Sequence, residues 1–143
     1  MKHVVRIGAA MAMALSLTAT GAELNPLVGE RWKTRPVIVV VPTRGDALLR
    51  KVEAALQTAA TREAFIDREM VLYTVAGGKG HRNGVRLPTA QTRALLDALE
   101  LTASSPPTFL LVGKDGGIKM TETADVDLRA VFAEIDRMPM RRR

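Results

Sequence analysis

The stretch Pro106-Pro107-Thr108-Phe109-Leu110-Leu111-Val112-Gly113-Lys114-Asp115-Gly116-Gly117-Ile118-Lys119-Met120 decides how the rest of the chain is read. The two prolines stop any preceding helix, and an apolar run follows. Asp115-Gly116 then supplies the residues that tolerate the backbone of a tight reversal, and a short return strand completes a β-hairpin. This hairpin stands late in a chain that otherwise alternates strands with helices.

Upstream, Val37-Ile38-Val39-Val40-Val41 is β-branched and apolar at every position, which suits a central strand covered on both faces. From Asp46 onward, Leu48, Leu49, Val52, Ala55, Leu56 and Ala59 recur at helical spacing. Arg50, Lys51, Glu53 and Gln57 fall between them, and the helix is expected to run on through Arg62-Glu63-Ala64-Phe65-Ile66. Met70-Val71-Leu72-Tyr73-Thr74-Val75 is a second buried strand, joined to the first by a right-handed crossover. Residues 76–88 hold glycines without periodicity and read as a loop. Thr89 is then expected to cap a helix bearing Ala94, Leu95, Ala98 and Leu99. After the hairpin, Leu128, Val131, Phe132, Ile135 and Met138 form the apolar face of a last helix that Pro139 ends.

The order is β-α-β-α-β-β-α around a central mixed sheet, an α/β architecture that resembles the thioredoxin fold. In that fold a proline opening the third strand typically takes the cis form beside the active site, and Pro107 is the residue in the corresponding place. At finer grain, Asn25-Pro26-Leu27, Arg31-Trp32-Lys33, Arg35-Pro36, the run from Leu111 to Gly117 and the run from Ile135 to Arg142 resemble a thioredoxin-like, peroxiredoxin-like family of unknown function, domain of unknown function 4174. That family occurs in exported bacterial proteins and in sushi-repeat extracellular proteins. The resemblance implies the fold and export, and brings no established activity with it.

Lys2 and Arg6 precede the apolar run Ile7 to Leu17 and the small residues Thr18-Ala19-Thr20-Gly21-Ala22, the pattern of a secretory signal cleaved after Ala22. The apolar run is shorter than the roughly 20 residues that cross a bilayer. Residues 23–35 then form an irregular lead-in, which Trp32 is expected to pin to the body. Residues 36–139 form one domain, and 140–143 a basic tail. The net charge of +6 is concentrated in Lys2, Arg6 and Arg141, Arg142 and Arg143, so the body is close to neutral and offers no basic face for nucleic acid. The tail reads as a frayed, solvated terminus, with peripheral contact to anionic lipid as the other reading. The chain has no cysteine, so an exported fold must be held by packing alone and thiol redox chemistry is excluded.

In this topology ligands gather at the carboxyl end of the first strand, here Pro42-Thr43-Arg44-Gly45-Asp46. Thr43-x-x-Asp46 resembles the peroxiredoxin spacing of threonine and reactive cysteine, with Asp46 where the thiol would stand. A carboxylate is no peroxide nucleophile, and Asp46 also reads as a helix cap. Thr43 and Arg44 offer a hydroxyl and a guanidinium to an anionic or peptide ligand. Lys79 and Arg82, in Gly77-Gly78-Lys79-Gly80-His81-Arg82-Asn83-Gly84, could add cations around an anion, although the spacing is not that of a phosphate loop. His81 is the only histidine outside the leader, so neither a metal site nor a hydrolytic triad has its usual residues.

These residues favour a non-catalytic module that binds an envelope protein or peptide through Thr43, Arg44, Asp46 and Pro107. No cofactor, no metal, no nucleic acid and no membrane-spanning segment in the mature chain are expected. The alternative is a non-thiol enzyme acting on a small anionic substrate held by Arg44, Lys79 and Arg82.

Overall fold

A computed structural model of the chain describes residues 24–141. The proposed leader, residues 1–22, and the last two arginines of the tail lie outside them. A short 3-10 helix, Pro26–Glu30, leads into β1 (Arg35–Val41). Then come α1 (Ala47–Ala55), α2 (Ala59–Asp67), β2 (Met70–Ala76), β3 (Lys79–Arg82), β4 (Val85–Arg86), α3 (Thr89–Ala98), β5 (Thr108–Val112), β6 (Ile118–Thr123) and α4 (Leu128–Asp136).

The six strands form one mixed sheet in the order β4-β3-β2-β1-β5-β6. β1 pairs parallel to β2, from Arg35 opposite Met70 to Val41 opposite Ala76, and antiparallel to β5, with Val40 opposite Thr108. The hairpin expected from Pro106 to Met120 is present as β5 and β6, and Gly113 and Gly117 close its turn. This is a thioredoxin-like α/β fold. Among the described residues no helix is long and apolar enough to cross a membrane.

All seven residues of β1 are buried, because the strand is covered on both faces. Val37, Val39 and Val41 pack with Leu48, Leu49 and Val52 of α1, Phe65 of α2, and Val131 and Ile135 of α4. Ile38 and Val40 pack on the other side with Tyr73 of β2 and with Leu95 and Leu96 of α3. Each such aliphatic side chain contributes about 1.5–3 kcal/mol when taken out of water, so this one strand anchors both halves of the core. Arg68 ties α2 to α4: its Nε and Nη2 donate to the two carboxylate oxygens of Asp136 at 3.0 and 2.9 Å, and its guanidinium lies over the Phe132 ring.

The helix expected to continue past Thr61 is two helices, because Thr58 turns the chain and accepts from the Thr61 amide as the cap of α2. Thr89 opens α3 without capping it. The loop expected over residues 76–88 is largely the β3–β4 hairpin. Asn83 and Gly84 both have positive φ, 46° and 81°, which is the backbone of the two-residue hairpin turn that Asn-Gly favours. Asn83 also joins β2, accepting from the Leu72 amide at 2.9 Å through Oδ1.

Trp32 does not pin the lead-in through the core: it is 66% exposed. The lead-in is held instead by Glu30, a buried carboxylate. Nor is the start of the tail solvated and frayed, since the Arg141 guanidinium pairs with the Asp67 carboxylate and donates to the Asp67 carbonyl at 3.0 Å. Every described peptide bond is trans, the one before Pro107 included.

Candidate functional site

At the carboxyl end of β1 the chain turns through Pro42-Thr43-Arg44-Gly45-Asp46 into α1. Asp46 is the helix cap: its Oδ1 accepts from the Leu48 amide at 2.9 Å, so this carboxylate is committed to the first turn. Thr43 and Arg44 are exposed, and Arg44 Nη2 lies 3.3 Å from Glu53 Oε1. An ion pair this exposed is worth little, so Arg44 can turn to a ligand at small cost.

Thr43 and Arg44 line a cavity of about 340 Å³ together with Pro42, Ala76, Gly77, Lys79 and His81. A second cavity of about 360 Å³ shares Arg44 and His81 and extends to Glu53, Leu72 and Thr74. Strand alternation explains the grouping. Lys79 and His81 are two apart on β3 and face the α1 side, whereas Gly80 and Arg82 face the α3 side, where Gly80 lies against Thr92. Lys79 therefore joins Arg44, and Arg82 does not. His81 Nδ1 is buried and has no hydrogen-bond partner among the described residues, which leaves one polar atom of this site unsatisfied. Pro107 stands at the same end of the sheet, one residue before Thr108 pairs with Val40, but outside both cavity walls.

Arg82 serves a different group. Its Nε donates to Glu30 Oε1 at 2.6 Å, the Tyr73 hydroxyl donates to the same oxygen at 2.8 Å, and Thr34 Oγ1 donates to Glu30 Oε2 at 2.6 Å. Burial pushes the Glu30 carboxyl up, but the hydrogen bonds from Arg82, Thr34 and Tyr73 outweigh it and hold the group below the usual glutamate range. Burial, then the bond to Glu30, pushes the Tyr73 phenol far up. With both Glu30 oxygens and the Tyr73 hydroxyl partnered, the cluster is a structural staple. Its sequence signal was the lone tyrosine inside an apolar strand, since a buried phenol needs a partner.

Among the described residues no three His, Asp or Glu side chains gather as a metal site. A family model described as a domain of unknown function (DUF4174) matches residues 26–143. The chain belongs to the DUF4174 family. Comparison with curated proteins and with solved structures gave no match. In this DUF4174 domain, Trp32, Arg35, Gly113, Lys114, Asp115, Met138, Pro139 and Met140, drawn from four of the stretches that carry the family resemblance, meet around one cavity near the start of β1. The Thr43-Arg44 site lies beyond the other end of that strand, about 20 Å away at roughly 3.3 Å per residue.

Proposed function

We propose that this domain is an exported, thiol-free binding module that takes an anionic group of an envelope protein or peptide at the carboxyl end of β1. The observation that carries the reading is the gathering of Thr43, Arg44, Lys79 and His81 on one cavity. Two cations, a hydroxyl and an imidazole with an unsatisfied nitrogen suit a carboxylate or phosphoryl group, and the fold lends the exposed turn a rigid base. Asp46 supports the site as the cap that shapes the turn, and Pro107 bounds the same sheet end. Export rests on the leader pattern of residues 1–22, and recovery of a chain starting near Glu23 from the periplasm or medium would bear it out.

Titration of the isotope-labelled chain with an acidic peptide and with inorganic phosphate tests the site. Amide shifts should gather at residues 43–46 and 77–81 and vanish in an Arg44→Ala, Lys79→Ala double variant. Shifts elsewhere, or shifts that survive the double variant, would sink the reading. The unsatisfied His81 nitrogen keeps the enzymatic alternative in play, with His81 moving a proton on a small anionic substrate. Turnover lost in His81→Gln with binding retained would favour that alternative.

A further inference from the structure

The cavity near the start of β1 has a different character from the Thr43-Arg44 site. Its volume is about 260 Å³, and Trp32, Met138, Pro139 and Met140 give it a mostly apolar wall into which Arg35, Lys114 and Lys119 bring cations. Trp32 has a positive φ of 64°, uncommon for a bulky residue, and its amide donates to the Lys114 carbonyl at 2.8 Å. The backbone is thus fixed in a form that holds the chain's single tryptophan at the rim, where the core makes no use of it.

Arg35 is the second observation. It is 2% exposed, one of the largest fully buried side chains. Its Nη1 donates to the Arg68 carbonyl at 2.9 Å, but its Nε is buried without a partner. The nearest carboxylate oxygen, Glu69 Oε2, is 3.9 Å from Nη1 and is itself taken by Lys114. Lys119 is likewise paired, with Asp115 at 2.8 Å. Arg35 is therefore the most weakly paired cation at this cavity, its one ion pair long and shared, and the unused Nε of its guanidinium fork matches a planar carboxylate.

We propose that this cavity binds an apolar carboxylate, its charged end on the Nε edge of Arg35 and its hydrocarbon body between Trp32 and the Met138-Pro139-Met140 corner. One fork in a mostly apolar wall fits a monoanion better than a phosphoryl dianion, which calls for more donors. Nε is covered in this structure, so the wall must shift to admit the ligand. Met138 and Met140 are unbranched and can repack. The same chemistry is carried by a free aryl or alkyl acid and by the carboxy terminus of a peptide ending in an apolar residue.

Trp32 fluorescence reads the site directly in the full chain. The probes are 3-phenylpropionate with its neutral amide, and the peptide Ala-Gly-Gly-Phe with a free or an amidated terminus. Saturable change is expected with at least one acid, with about tenfold or more weaker binding of its amide because the charge-assisted bonds are lost. Preference for the small acid identifies a free ligand, and preference for the peptide acid identifies a chain terminus. Arg35→Gln should abolish the difference between acid and amide. Because that variant can lose stability, Met140→Glu provides a second check, placing a carboxylate at the partly exposed mouth, and should also weaken acid binding about tenfold. No saturable response to either acid, equal binding of acid and amide, or unchanged affinity in Met140→Glu would overturn the proposal.

Discussion

The Tyr73 hydroxyl reaches Glu30 Oε1 across 2.8 Å, joining the middle of the second strand to the last residue of the lead-in helix, 43 positions earlier. The lead-in is thereby part of the folded unit. Tyr73→Phe should cost about 1 kcal/mol by removing one hydrogen bond, and Glu30→Ala about 2–3 kcal/mol by leaving the phenol, Arg82 and Thr34 without their acceptor. Urea unfolding midpoints check the order. Equal losses in the two variants would mean that Glu30 is not the hub.

Glu30 titrates below the usual glutamate range in the folded chain, so its stabilisation is complete above the unfolded value and is lost as pH falls through the folded one. Asp136 behaves alike, held low first by its bonds from Arg68, although it is far more exposed. The melting temperature should therefore fall as pH drops below about 4. Tyr73 has the opposite sign. Its phenol is raised, so stability should also be lost above about pH 10, where the unfolded tyrosine ionises first. Tyr73→Phe should flatten the alkaline limb and shrink the acid limb only in part, since Arg82 and Thr34 still donate to Glu30 and Asp136 is untouched.

Gly80 lies where β3 meets α3. A Cβ added there would overlap Thr92 Oγ1 and sit 3.0 Å from Thr92 Cγ2. Gly80→Ala should destabilise by about 1–3 kcal/mol through overpacking, and Thr92→Ala in the same chain should return part of that loss. Simple additivity of the two changes in thermal unfolding would show that the clash is relieved elsewhere.

Arg141 pairs with Asp67 and lies 3.5 Å from Asp136. Arg141→Ala should lower the melting temperature measurably at low salt, with a smaller effect at high salt. A tail that serves only to touch lipid predicts no change in melting and a loss of binding to anionic vesicles.

The elements that local pattern determines were legible in the chain. Val37 to Val41 could hardly be anything but a doubly covered strand, and the α4 face from Leu128 to Ile135 and the hairpin after Pro107 follow from spacing and turn chemistry. Thr43, Arg44 and Asp46 could be placed at one strand end because topology puts them there. The rest depended on pairing between distant segments. Nothing local says that Arg82 will cross to Glu30, or that Arg35, at the mouth of an apolar strand, will be buried with one edge unpaired. Lys79-Gly80-His81-Arg82 lacks alternating apolar residues, so the Asn83-Gly84 turn was the only cue to a hairpin there. Trp32 departs from the usual use of tryptophan in cores because its backbone is left-handed and its side chain lies exposed, which no local pattern signals.

The two rims of the sheet also decide how the molecule behaves in a crowd. One rim is β4, only two residues long, and the other is β6, exposed at nearly every position, carrying Lys119 and Glu122 and kinked by a register shift beside Leu111 and Val112. A short rim and a charged, irregular one are poor templates for a further strand from another copy. With no disulfide to limit partial opening, resistance to edge-to-edge growth rests on these rims, and a substitution that made β6 apolar and regular would be paid for in precipitation long before any loss of folding energy could be measured.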